Sequence, residues 1–288
     1  MKKILLILCS FCLINFSFSQ TDSTPNSTVD TIQVGVYKIP NKTYSSSDEA
    51  NPKRKRHTTD IVFGYSSKRK QSNVSTSWWI LDLGFANYRD QTNYPVAQSG
   101  SYFQTYKNGM VDARSMSLIN KKSSNVNIWI FMQKLNISKH QLNLKYGLGL
   151  EMYNYRFENS LSYRKDPFSQ IFNDSIAFSK NKLYVGYLTV PVMINFSPNP
   201  TKKKSIKLSA GMSFGYLLNS RNKQISNERG KQKISGNFDL EPFRVATIAE
   251  LGLGPVTLYG SYSLNSLHKY STGLQQYLYA IGIRLTNR

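Results

Sequence analysis

The chain is predicted to be all-β: an eight-stranded antiparallel barrel that crosses a membrane, preceded by a disordered N-terminal tail. Three observations carry that expectation. In SIKLSAGMSFGYLLN, residues 205–219, one face reads Ile206, Leu208, Ala210, Met212, Phe214, Tyr216 and Leu218, while the other reads Lys207, Ser209, Gly211, Ser213, Gly215, Leu217 and Asn219. Period two marks a strand. Its length exceeds the roughly 3–10 residues of ordinary strands, whereas a strand tilted across a bilayer needs about 9–11. The same alternation recurs along the chain, and the chain opens on an export signal without any later apolar run long enough for a membrane helix.

The export signal is MKKILLILCSFCLINFSFSQ. Lys2 and Lys3 precede an apolar run from Ile4 to about Phe16, and Ser17-Phe18-Ser19 supplies a small-x-small cleavage site. This predicts a signal peptide over 1–19, cut before Gln20. Cys9 does not follow a small residue, so lipidation there is not expected. Both cysteines, Cys9 and Cys12, leave with the signal, so the mature chain has no disulfide, thiol nucleophile or thiolate metal site.

The formal charge of +21 becomes +19 when Lys2 and Lys3 leave (21 − 2). Export, and the absence of recognition-helix or finger spacing, turn that charge away from nucleic acid. Anionic outer-membrane lipid is the expected counterpart.

Residues 20–57 are rich in Ser, Thr, Asn and Pro, with few apolar side chains to offset ordering entropy, and read as a basic periplasmic tail. Lys53-Arg54-Lys55-Arg56 reads as a solvated linker beside the head groups. The barrel domain is expected over 58–288. Thr59 to Tyr65, TDIVFGY, reads as a short strand that either joins the periplasmic rim or packs inside the barrel.

The first barrel strand, Trp78 to Tyr88, points Trp79, Leu81, Leu83 and Phe85 outward and Ile80, Asp82, Gly84 and Ala86 inward. A polar surface loop from Arg89 to about Ser117 follows. The second strand, Asn125 to about Gln133, sets Val126, Ile128, Ile130 and Met132 outward, with Trp129 and Phe131 inward. After the tight turn Ser138-Lys139-His140, the third strand runs from Gln141 to about Tyr155. It turns Leu142, Leu144, Tyr146, Leu148, Leu150 and Met152 outward.

A second long loop spans about Glu158 to Lys180. The fourth strand, Leu183 to Phe196, sets Leu188, Val190, Val192, Ile194 and Phe196 outward, and Pro191 should mark a bulge or a locally broken pairing. Pro198-Asn199-Pro200 turns into the fifth strand, described above, which is followed by a basic loop from Ser220 to about Asp239. The sixth strand is Phe243 to Leu253, Gly254-Pro255 turns the chain, and the seventh is Val256 to Leu264. A modest loop leads to the eighth, Leu274 nearly to the end. Connections alternate long and short, as in bacterial outer-membrane barrels, which places both termini in the periplasm.

A soluble barrel of the lipocalin kind would fill its interior with the apolar face. Here the inward face would have to be the small, polar and charged one, so packing in water would leave Met212, Phe214, Tyr277, Ile281 and Ile283 as one exposed apolar patch. The membrane assignment removes that conflict.

Several segments resemble the PorT-like outer-membrane β-barrel family of Bacteroidetes-type bacteria. They are Trp78-Trp79-Ile80-Leu81-Asp82-Leu83-Gly84-Phe85 and Tyr146-Gly147-Leu148-Gly149-Leu150-Glu151-Met152-Tyr153-Asn154-Tyr155-Arg156-Phe157, extended by Leu188-Thr189-Val190-Pro191, Ser209-Ala210-Gly211 and Tyr259-Gly260-Ser261-Tyr262-Ser263-Leu264. The likeness covers roughly Thr59 to Arg288. It implies an eight-stranded outer-membrane barrel, and a named member of that family is associated with secretion across the outer membrane. The ending Leu285-Thr286-Asn287-Arg288 departs from the terminal aromatic of barrel assembly signals.

The inward face carries Asp82, Lys145, Glu151, Lys207, Arg244, Glu250 and Arg284. A Lys or Arg on the lipid face at the midplane would cost about 2–4 kcal/mol, so one parity for all of them supports the assignment. An eight-stranded barrel is just wide enough to be filled by side chains. The charges are therefore expected to form a structural plug, with Asp82 near Arg284 and Lys207 near Glu250, rather than a proton path.

A catalytic role is not expected. His57, His140 and His268 are the only histidines, and only His268, beside Ser266 and Ser271, falls in an outer loop where a lipid-modifying site could form. No HExxH, metal-ligand cluster or Gly-rich phosphate loop is present, so no cofactor, metal or small-molecule substrate is expected. Tyr94, Tyr102, Phe103, Tyr106, Tyr163, Phe168 and Phe172 lie among polar residues of the outer loops. They suit either a protein or glycan surface or ordinary loop packing. The chain thus reads as a structural or interaction component of the outer membrane, with other envelope or secretion proteins as possible partners.

Overall fold

The computed structural model describes residues 72–105, 111–200, 205–254 and 256–285. The expected signal peptide, the tail over 20–57 with His57, the segment Thr59 to Tyr65, and Tyr106 and Pro255 lie outside the described residues.

In chain order the elements are β1 (Val74–Asp90), helix α1 (Tyr94–Ser99), β2 (Phe103–Thr105), β3 (Ser124–Ser138), β4 (Leu142–Arg156), β5 (Leu161–Arg164) and β6 (Gln170–Asn173). Then come β7 (Lys180–Phe196), β8 (Ile206–Ser226), β9 (Gly230–Ser235), β10 (Phe243–Leu253), β11 (Val256–Ser263) and β12 (Gln276–Leu285). Strands β1, β3, β4, β7, β8, β10, β11 and β12 form a closed eight-stranded antiparallel barrel. Closure pairs β12 with β1, placing Arg284 opposite Asp82 and Gly282 opposite Gly84. A closed sheet has no edge left unpaired in lipid.

All eight barrel strands coincide with those read from the alternation. The facing agrees too: Phe214 is 48 % and Ile281 63 % exposed, while Arg284 is 2 % exposed. Outward rings cluster near the two ends of the apolar face. Trp78 lies against Phe131 at 5.9 Å near the short-turn end, and Tyr216 against Phe243 at 5.3 Å near the other. Rings so placed correspond to the aromatic girdles of membrane barrels.

Two details differ from the alternation, and one expected break is present. Ile130 is an extra residue in β3 relative to β4, so the ladder passes from Trp129–Gly149 to Phe131–Leu148. A bulge reverses the facing beyond it, turning Met132 inward and Phe131 outward. The local break expected at Pro191 is present: the pairing to β4 is interrupted opposite Gly147 and Leu148, because proline has no N–H to give. On the β8 side Pro191 stays in register with Ser213, and the bulge sits between Gly186 and Tyr187 instead.

The second difference is the larger. The stretches read as long polar loops are folded. Beyond Asn219, β8 continues to Ser226, turns, and returns as β9. Within the second loop β5 and β6 form a hairpin, and β2 of the first loop adds to β6 in parallel. The bulge opposite Gly186 switches β8 so that Ser220, Asn222, Gln224 and Ser226 point inward. Gln224 Nε2 donates to Leu161 O and Ser162 Oγ, both at 2.8 Å, and joins the ribbon to the β5–β6 hairpin. Beneath lies an apolar dome containing Phe103, Leu161, Tyr163, Ile171, Phe238 and Leu278.

Candidate functional site

The lumen is the site, since it gathers the charges that the alternation turned inward. Six charged side chains are buried there: Lys145, Arg244 and Arg284 against Asp82, Glu151 and Glu250. Three cations face three carboxylates, so the buried set is neutral. An uncompensated charge in such a place is expensive.

Arg284 is the hub. Its Nε donates to Asp82 Oδ1 at 2.6 Å and its Nη2 to Asp82 Oδ2 at 2.7 Å, the two-pronged geometry that suits a guanidinium and a carboxylate. Its Nη1 donates to Glu250 Oε1, and Lys145 Nζ donates to Glu250 Oε2. Asp82 Oδ2 also accepts from Trp129 Nε1 at 2.7 Å and from Asn127 Nδ2 at 3.4 Å. From Asn127 the chain of bonds runs through Asn125 to the hydroxyl of Tyr259, which donates to Asn125 Oδ1 at 2.6 Å. These residues come from β4, β10, β12, β1, β3 and β11, so the network ties the barrel across its bore.

Tyr259 can reach because Gly84 has no side chain. A Cβ at that position would lie 2.5 Å from the tyrosine oxygen.

A second cluster stands nearer the long loops. Arg244 Nη1 donates to Glu151 Oε2 and Nε to Ser263 Oγ at 2.8 Å. Its guanidinium lies over the rings of Tyr153, 5.0 Å away, and Tyr187, 6.0 Å away. A cation held over buried rings gains from their negative faces. Above it the stacked rings of Tyr153 and Tyr155 lead into the apolar dome.

Below the ion network the bore opens into a cavity of about 490 Å³ at the short-turn end, lined by Lys134, Lys145, Lys207, Glu250 and Arg284 among others. The expected Asp82–Arg284 contact is present. The expected Lys207–Glu250 pairing needs correction: the groups that hold Glu250 are Lys145 and Arg284, which reach it from β4 and β12, while Lys207 lines the cavity beside it. A residue's nearest neighbours in a narrow barrel include strands across the bore as well as along the ladder.

His268, the one candidate for catalysis, is buried in the dome. Its ring stacks on Tyr163 with centroids 6.1 Å apart, and its Nε2 lies 3.5 Å from the Tyr163 hydroxyl. Burial depresses its pKa to about 3, so it is neutral at ordinary pH. Ser266 does not serve it: that hydroxyl donates to Leu274 O and accepts from Gln276 N–H. Of the loop aromatics, Tyr94, Tyr102, Phe103 and Tyr163 are buried, which decides for loop packing at those positions. Phe168 is exposed, and Phe172 carries the guanidinium of Arg164 at 4.1 Å. Among the described residues no three His, Cys, Asp or Glu side chains converge as a metal site would require.

Residues 97–274 match the family model described as outer membrane protein beta-barrel domain. The chain belongs to that family. Two solved structures of Ail, the attachment invasion locus protein of Yersinia pestis, are also similar to it. One is 11% identical, covers 75% of this chain and 100% of its own, and has a TM-score of 0.29. The other, in complex with the heparin analogue sucrose octasulfate, is 12% identical, covers 72% of this chain and 99% of its own, and has the same TM-score of 0.29. No curated protein sequence matches.

As an outer membrane protein beta-barrel domain, the chain sits in the outer membrane with its apolar outward face against lipid. The family match includes β2, β5, β6 and β9, so the folded long-loop end is part of the domain.

Sequence reasoning missed the neutral members of the network: Asn125, Asn127, Trp129 and Tyr259. The available signal was the pair of asparagines two apart on the inward face of β3. Polar groups on the buried face of a strand need partners.

Proposed function

We propose that this barrel is a closed scaffold that presents its folded long-loop end for contact outside the cell, and that it conducts neither ions nor substrates. The observation that carries this reading is the bonded chain from Lys145 through Glu250 and Arg284 to Asp82, which occupies the bore beneath a packed dome. The role of the seven inward charges, in this reading, is to fix the register of the barrel rather than to move protons.

The orientation follows the same reading. Short turns and both chain ends lie in the periplasm, residues 1–19 are removed on export, and residues 20–57 remain there as a basic tail ahead of the barrel over 58–288. The PorT-like resemblance adds a narrower form, in which the barrel belongs to an outer-membrane secretion or surface-attachment assembly. Cross-linking in intact outer membrane tests it: recovery of a defined envelope protein supports the assembly, and recovery of lipid alone removes it.

The closed bore has its own test. The full chain folded into planar bilayers is expected to give flat current records at either polarity. Stepwise openings by the unaltered protein would overturn the reading.

A further inference from the structure

The outward face of the long-loop end carries a charge pattern that the closed scaffold does not use. In the ladder, Arg156 of β4 pairs with Lys182 of β7, Lys182 with Lys223 of β8, and Lys223 with Lys233 of β9. Four cations therefore stand side by side on four neighbouring strands, spanning about 14 Å at the usual strand spacing. Like charges directly opposite one another destabilise a sheet. Lys180 and Lys231, which flank the row through their shared partner Ile225, add to the repulsion.

Among the described residues no carboxylate relieves it, and these side chains make no ion pair; Lys182 Nζ donates to Asn154 Oδ1 at 2.7 Å, and Arg156 Nη2 donates to Ser179 O.

We propose that this row is a binding site for the phosphorylated headgroup of a membrane glycolipid. The position favours a lipid over a soluble polyanion. The row sits on the outward face of β7 and β8, one outward position beyond Tyr184 and Arg221 and three beyond Leu188, an apolar residue that meets hydrocarbon on β7. Long lysine side chains there lie outside the apolar band and can bend back towards the headgroups. A phosphate placed between two lysines replaces repulsion by two charge-assisted hydrogen bonds. Which leaflet supplies the lipid rests on the orientation proposed above; the row's affinity for phosphate on a lipid does not.

The test uses the full chain in detergent, titrated by native mass spectrometry with bisphosphorylated lipid A, with lipid A stripped of its phosphates, and with soluble polyphosphate. The unaltered protein is expected to prefer the bisphosphorylated lipid, with an affinity that falls as salt rises. The combined variant Lys182→Gln, Lys223→Gln, Lys233→Gln is expected to bind it on the order of a hundredfold more weakly. That variant should fold about as well as the parent, since it loses the mutual repulsion and one part-buried hydrogen bond, from Lys182 to Asn154, and its heat-dependent gel shift reports this. Should it fail to fold, the parent's preference for phosphorylated over stripped lipid A and its salt dependence still decide.

Equal binding of the two lipids by the parent, or parental affinity in the folded variant, overturns the proposal. Polyphosphate binding as tight as lipid A overturns the lipid assignment. Protease cleavage at the exposed β8–β9 turn in intact cells reports orientation separately: a turn cut only from the periplasm refutes the orientation and leaves the lipid site standing.

Discussion

Replacing Arg284 with leucine is expected to lower the unfolding free energy by about 3–5 kcal/mol, the usual cost of breaking a buried ion pair from one side. Arg284 makes two bonds to Asp82 and one to Glu250. Leucine would leave Asp82 with only its neutral donors, Trp129 and Asn127, and Glu250 with only Lys145. The buried set would then hold two cations against three carboxylates.

Removing the opposite charge as well should recover much of the loss. In the double variant Asp82→Asn, Arg284→Leu the lumen returns to two cations and two carboxylates, and the asparagine oxygen still accepts from Trp129. Urea unfolding in lipid vesicles checks both: the double variant is expected to be clearly more stable than Arg284→Leu alone. Equal stability of the two variants would show that the network's worth lies in packing and not in charge balance.

Gly282→Val is expected to cost about 3 kcal/mol or more, at the upper end of overpacking effects. Gly282 faces Gly84 across the seam that closes the barrel. A Cβ there would stand 2.3 Å from Leu83 O and 2.5 Å from the Gly84 Cα, and main chain cannot swing aside as a side chain can. The seam itself would have to open. Gly260→Ala is the contrasting case, because its Cβ would meet nothing closer than Ala280 O at 3.9 Å. Loss of heat-dependent gel migration in Gly282→Val, with retention in Gly260→Ala, is the expected pattern.

The barrel was legible because hydrocarbon and bore impose opposite demands on alternate residues. That is why Phe214 and Ile281 on one parity, with Arg284 and Glu250 on the other, located the strands and faced them. Bulges are invisible to alternation until they reverse it, so Met132 and Phe131 were misfaced while Trp129 was not. The long-loop end was illegible for a different reason. Ser220, Asn222, Gln224 and Ser226 form the inward face of a paired ribbon, but a polar inner face beside a lysine-rich outer one has no hydrophobic period and reads as loop. Among the lumen charges, Asp82 and Arg284 were found because their strands are neighbours at the seam. The partners of Glu250 were missed because Lys145 and Arg284 approach through the third dimension, which strand order does not encode.

The central claim is that alternate residues of β8 meet lipid and bore. Cys9 and Cys12 are the only cysteines of the sequence, so a chain starting at Gln20 accepts single labels. Spin labels on Met212→Cys, Ser213→Cys and Phe214→Cys, folded into vesicles, measure contact with dissolved oxygen, which concentrates in hydrocarbon. Strong relaxation is expected at 212 and 214 with little at 213; oxygen contact that is uniform across the three, or highest at 213, would contradict the account.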